Sequence, residues 1–122
     1  MTALIQNFSI PADNDVAVEI NVDPDVNLTT LSGSTVYWNA YPMQFAVPVP
    51  GQPPVISYST TAGNIVLLPS PPPTSCQLKI NSHDTVGLLR NYYHETTLVD
   101  LFGHKSTLNI GVMTVTESEN RP

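Results

Sequence analysis

The chain has 122 residues, a length that suits one domain able to bury its own core. Leu, Ile, Val and Phe supply 34 of them, charged residues only 11%, and prolines number 12, which excludes a disordered chain and long ion-paired helices. Net charge is −6, and Lys79, Arg90, Lys105 and Arg121 stand singly, so no basic patch exists to displace counterions from phosphate and a nucleic-acid partner is excluded.

In chain order, period-two patterns alternate with turn residues. Residues 4–10 read as a first strand, closed by Pro11 and the polar 12–15. Val16, Val18, Ile20 and Val22 alternate with Ala17, Glu19 and Asn21, the clearest half-buried strand, and Asp23-Pro24-Asp25 ends it. Residues 35–41 carry Val36, Trp38 and Ala40 on one face and Tyr37, Asn39 and Tyr41 on the other. Five prolines between 42 and 54 mark a stiff loop or edge segment, since proline cannot donate to a ladder. Residues 55–59 and 64–68 read as short strands joined around Ala62-Gly63, and 69–74 as a second stiff break. Residues 76–80 follow as a strand, and 82–90 as a short helical turn with Ser82 or Asp84 as N-cap. Residues 91–100 form a long strand with Tyr93, Glu95, Thr97 and Val99 opposite Tyr92, His94, Thr96 and Leu98. Residues 102–105 make a hairpin turn into a last strand, 106–116, with Gly111 as a bulge.

Seven to eight short strands at near-regular spacing predict an all-β protein, an antiparallel immunoglobulin-like β-sandwich without a disulfide. It forms a single domain over 1–116, and 117–122 is a frayed C-terminal tail. Trp38 is expected between the sheets beside Val18, Ile20 and Val99. Tyr92, or else Tyr93, is expected to act as a corner tyrosine bonded to the backbone between 84 and 89.

Known chemistries leave no trace. The lone Cys76, in an alternating run, reads as a small core residue and excludes an internal disulfide. His83, His94 and His104 lack the close spacing of a metal site and read as a loop, a strand-face and a turn residue. Asp23-Pro24-Asp25 opens like a calcium loop, but Leu28 and Ser34 stand where glycine and glutamate are needed. No Gly-x-Ser-x-Gly elbow, phosphate-cradling glycine loop or metalloprotease helix occurs, so no cofactor and no enzymatic activity are expected. The longest aliphatic run, 65–68, is far short of the ~20 residues of a membrane span. The first ten residues lack the basic start and apolar stretch of a signal peptide, and the sequon matches at Asn7 and Asn27 then carry no meaning.

Thr35-Val36-Tyr37-Trp38-Asn39-Ala40-Tyr41, Asn91-Tyr92-Tyr93-His94-Glu95, the hairpin Asp100-Leu101-Phe102-Gly103-His104-Lys105-Ser106-Thr107 and the closing Gly111-Val112-Met113-Thr114-Val115-Thr116 resemble small tail proteins of phages and prophages. The family is that of the N-terminal domain of baseplate upper proteins and of tail-fibre adaptors. The resemblance implies a non-catalytic structural or adaptor module that contacts other tail proteins or itself as a homo-oligomer. It also implies residence in the bacterial cytoplasm during assembly and then in the virion. The other function in play is a carbohydrate- or ligand-binding module using exposed aromatics, with Tyr41, Phe45 and Phe102 as candidates. A row of aromatics on one exposed strand face would favour that second function.

Overall fold

The computed structural model describes residues 4–21, 35–44, 47–48, 51, 53–67, 75–88, 90–99 and 102–117. Among these residues, ten strand segments and one helical turn run in order: β1 (Leu4–Ile5), β2 (Phe8–Pro11), β3 (Val16–Asn21), β4 (Thr35–Gln44), β5 (Val47–Pro48), β6 (Ile56–Ser59), β7 (Ile65–Leu67), β8 (Ser75–Ile80), α1 (Ser82–Thr85), β9 (Arg90–Val99) and β10 (Lys105–Thr116). β1 and β2 lie end to end along β10, while β5 and β6 share the far side of β4, so the segments fill eight strand positions.

These positions form two sheets. The larger places β9 between β10 and β4, with β1 and β2 outside β10 and β5 and β6 outside β4. The smaller runs β3-β8-β7. This order, with the fourth and ninth segments paired at the centre of one sheet and the third and eighth paired in the other, is that of an immunoglobulin-like sandwich. The turn at 60–64 carries the chain from the larger sheet to the smaller, because β6 pairs with β4 and β7 with β8. Two-residue β5, ending in Pro48, occupies a sheet edge, where a missing N–H costs nothing.

The sandwich departs from a purely antiparallel one at its first strand. β1 and β2 run parallel to β10, pairing Leu4 with Asn109 and Phe8 with Met113. The strand expected over 4–10 is broken at Gln6 and Asn7, whose amide side chains are used elsewhere. Asn7 Oδ1 accepts the Val112 N–H at 2.9 Å. Gln6 Nε2 donates to the Glu19 carbonyl at 2.8 Å and its Oε1 accepts the Asn21 N–H at 3.1 Å, covering part of the open edge of β3.

The core fills the space between the sheets. Trp38 is fully buried, stacked on Tyr58 with ring centroids 5.7 Å apart, and shares the core with Ile20, Cys76, Leu78 and Met113, against which Val18 packs. Val99 is not among its neighbours. Strand alternation puts Val99 on the opposite face of β9, beside Thr97 and Glu95, while Tyr92, His94, Thr96 and Leu98 face inward. Cys76 is buried with no disulfide, and desolvation pushes its thiol up to about 12, the behaviour of a packing residue.

Three local expectations change. The bulge in β10 falls at Leu108, where the register with β9 shifts, and Gly111 instead serves a close approach. A Cβ on Gly111 would run into the Gln6 carbonyl oxygen and lie 2.9 Å from His94 Nε2. The N-cap of α1 is Asn81, whose side chain makes no capping bond; Ser82 and Asp84 lie inside the turn, and Asp15 Oδ1 accepts the Ser82 N–H instead. The corner tyrosine is neither Tyr92 nor Tyr93. Tyr93 donates to Glu95, and among the described residues Tyr92 makes no hydrogen bond to the 84–88 backbone. Tyr58 ties down this corner from β6, donating to Asp84 Oδ2 at 2.6 Å and accepting the Asn81 N–H at 3.1 Å. Burial, then the bond to Asp84, raises its phenol above the ordinary value.

Candidate functional site

The outward face of the larger sheet is assembled from alternate residues of β4, β9 and β10, aligned by the cross-strand register. Val112, Tyr93 and Tyr41 form one row; Ile110, Glu95 and Asn39 form the next, with Ile5 beside Ile110. Thr107, Thr97 and Tyr37 follow, then Lys105, Val99 and Thr35 nearest the hairpin. Tyr37 is 38% exposed and Ile5 76% exposed. A depression of about 410 Å3 is sunk into this face, floored by Asn39, Glu95 and Thr97 and walled by Tyr37, Tyr41, Val99 and Lys105.

The tyrosines are held in place by each other and by one carboxylate. Tyr41 and Tyr93 sit with centroids 6.3 Å apart, and the Tyr93 hydroxyl donates to Glu95 Oε2 at 3.3 Å. Burial and then the Glu95 charge raise both phenols, so they remain neutral hydrogen-bond donors. The face therefore offers ring surfaces, hydroxyls, one amide, one carboxylate and one ammonium, which suits recognition. A second depression of about 420 Å3 lies over the smaller sheet between 15–17 and 77–81 and has no aromatic in its lining.

Of the two described candidates named from the sequence, Tyr41 lies on this face and Phe102 does not. Phe102 is 82% exposed at the β9–β10 hairpin tip, 6.4 Å from the ring of His104, and Gly103 turns the chain there with φ 83°. Phe45 lies outside the described residues, as do all of 23–34 and 69–74 and the tail beyond Glu117. Tyr37, Tyr93, Ile110 and Val112 were the residues to add. Alternation places Tyr37 and Tyr93 on outward faces, but that Tyr93 meets Tyr41 depends on register, which the bulge at Leu108 and the turn lengths set.

A second cluster lies on the inward face. His94, two residues beyond Tyr92, stands where antibody domains carry the second cysteine of their inter-sheet disulfide, and it is fully buried. Its Nε2 lies 2.7 Å from the Gln6 carbonyl, which can only accept, so Nε2 carries the hydrogen. Nδ1 then accepts the Trp38 indole N–H at 3.3 Å. A neutral imidazole satisfies both bonds, and burial lowers its pKa below the ordinary 6.5 despite the Gln6 bond. Nearby, Asn109 Nδ2 donates to Gln6 Oε1 at 3.1 Å and to the Asn21 carbonyl at 2.7 Å. His83 lies exposed in α1 and His104 exposed at the hairpin, so the three histidines stand apart. No group of three or more His, Cys, Asp or Glu among the described residues is placed to hold a metal ion. Among these residues, no helix is long and apolar enough to cross a membrane.

No protein-family model matches the chain, and no curated protein matches it. A solved structure of murine CRIg is similar over 91% of this chain and 92% of its own, at 16% identity and a TM-score of 0.39. A likeness at that level adds nothing to the strand order, which identifies the fold by itself.

Proposed function

We propose that the chain is a non-catalytic structural or adaptor module that acts through protein–protein contacts, as in a phage or prophage tail assembly. The observation that carries this reading is the outward face of the larger sheet, where the tyrosines stand on two strands among aliphatic side chains and form no unbroken row on one strand. Its rows combine Ile5, Ile110, Val112 and Val99 with Tyr37, Tyr41 and Tyr93, and hold only Glu95 and Lys105 as charges. Aromatic enrichment and charge depletion of this kind mark the centre of protein interfaces. The tail context rests on the resemblance of 35–41, 91–95, 100–107 and 111–116 to tail modules, and implies assembly in a bacterial cytoplasm before incorporation into a virion.

The test is the mass of the full chain in solution over a wide concentration range, alone and with the other purified tail proteins. A stable contact buries about 800 Å2 on each partner. It should be lost when Tyr37 and Tyr93 are both changed to alanine. A second reading is favoured by one feature, the tyrosine-walled depression floored by Asn39, Glu95 and Thr97, whose mix of ring faces and polar groups suits a sugar. A chain that stays monomeric with every tail protein, yet binds an oligosaccharide dependent on Tyr37, would replace the first reading with the second.

A further inference from the structure

We infer that His94 is a proton-operated latch on the first strand of the fold: its neutral ring holds the Gln6 peptide against the inner face of the larger sheet, and protonation frees β1 and β2 from β10.

The geometry is specific to this junction. Gly111 has no side chain, and the Gln6 peptide occupies the space a Cβ there would take, directly over His94 Nε2. The Gln6 N–H donates to the Ile110 carbonyl at 2.8 Å while the Gln6 C=O accepts from the imidazole, so the main chain of one residue both continues the ladder and caps the ring. On its other side the ring accepts the Trp38 N–H, and Phe8 packs 4.9 Å away. A proton added at Nδ1 would face the indole N–H, so two donors would point at each other inside the core. The bond to Trp38 would be lost and a cation left without solvent. The surviving Nε2–H bond to Gln6, which favours the charged ring, offsets that cost only in part, so the drive to open is hydration of the imidazolium.

Among the described residues, no group that touches the ring can compensate the charge. Ala40 and Trp38 face it from β4, Gly111 from β10, and Gln6 and Phe8 from the first strand. The titratable side chains of the inner faces are Cys76, Tyr58 and Tyr92, a thiol and two phenols that carry no charge in acid. Glu95, next along β9, points to the opposite face; Asp84 is bonded to Tyr58 beyond the indole; Glu19 meets Gln6 through its main-chain carbonyl. No ion pair to His94 exists among the described residues. Burial accordingly holds its pKa low.

Water can reach the imidazolium by the route the first strand covers. β1 has two residues and β2 four, both on the outer edge of the sheet, whereas β4 and β9 are paired along eight residues. Short edge segments open at the lowest free energy, so the first strand yields before the central ladder.

The test is amide hydrogen exchange on the full chain from pH 7.5 to 5, expressed as protection factors so that intrinsic rates cancel. With an ordinary imidazole value of 6.5 in the open form, protection at Gln6 and Ala12, the donors to Ile110 and Thr116, should fall by up to about 30-fold relative to β9 amides. In parallel, imidazole nitrogen shifts of the wild type should show the Nε2–H tautomer at neutral pH and proton uptake over the range in which protection is lost. His94→Gln, which keeps a donor toward Gln6 but cannot titrate, should flatten the pH response. The inference is overturned if protection at Gln6 and Ala12 stays constant relative to β9, if it falls equally in His94→Gln, or if His94 takes up no proton while the strand is released. If the variant does not fold, the two wild-type readouts decide alone.

Discussion

The two faces of the β4–β9 ribbon are built from the same strands and differ by one residue of phase. Inward, Trp38, Ala40, Tyr92, His94, Thr96 and Leu98 are buried. Outward, Tyr37, Asn39, Tyr41, Tyr93, Glu95, Thr97 and Val99 are exposed or half-buried. Aromatic content is similar on both sides, so composition does not separate them. What separates them is burial and how the polar atoms are then partnered, with the Thr96 hydroxyl an inward exception that finds no partner among the described residues. The indole N–H meets His94, whereas the Tyr93 hydroxyl leans on a half-buried carboxylate that water also reaches. The inward face spends its polar atoms on specifying one packing, and the outward face keeps them available.

Substitution should break this contrast most sharply at Trp38. Trp38→Ala removes a fully buried indole and should cost about 3–5 kcal/mol in urea unfolding, while its outward neighbour Tyr37→Ala should change stability by less than about 0.5 kcal/mol. Equal losses at both positions would erase the distinction between the faces.

Gly111→Ala tests the junction where the first strand crosses the inner face. Its methyl would meet the Gln6 carbonyl, which is main chain and cannot rotate away. A loss of about 1–3 kcal/mol is expected, as for overpacking, with spectral changes confined to residues around 4–11 and 109–113. An unchanged unfolding midpoint would mean that Gln6 does not lie over Gly111.

The pH profile of stability should bend on both sides for reasons that lie on the inward face. His94 has a folded pKa below 6.5, so in acid the unfolded chain binds the extra proton. Stability is full above pH 6.5 and declines as pH falls toward the folded value, by up to about 1.4 kcal/mol per pH unit. Cys76 works in the other direction. Its thiol is raised from 9.0 to about 12, so stability is full below pH 9 and is lost as pH rises toward 12 at a similar limiting slope. Denaturant melts at pH 5, 7 and 10 check both limbs, and Cys76→Ala should lessen the alkaline one alone, leaving the share of the raised phenols of Tyr58, Tyr41 and Tyr93.

How much of this was legible in the sequence follows from which interactions are local. Alternation in 16–21, 35–41 and 91–99 gives strands and faces correctly, because a period of two is a property of the strand itself. Proline at 48 marks an edge for an equally local reason, its missing donor. The parallel course of β1 and β2, the bulge at Leu108 and the meeting of Tyr41 with Tyr93 are matters of pairing between distant segments, and no residue near them declares the partner. His94 reads as one more inward strand residue, since its two hydrogen bonds go to Trp38 and Gln6, 56 and 88 residues away.

The corner tyrosine offers the finest test of such long-range assignments. Tyr92 occupies the expected sequence position, yet Tyr58 holds the corner through Asp84 and Asn81. Both are buried tyrosines on the inner face of the larger sheet, so removing one oxygen from each compares a bonded hydroxyl with one that has no bond to the 84–88 backbone. Tyr58→Phe should cost about 0.5–1.5 kcal/mol, the net worth of a hydrogen bond, and Tyr92→Phe should lie within a few tenths of wild type. The Tyr58 loss should also shrink in an Asp84→Asn background, because the shorter of its two bonds runs to that carboxylate at 2.6 Å. If instead Tyr92→Phe is the costlier change, the corner is held from β9 after all, and the sequence position would have been the better guide than the geometry.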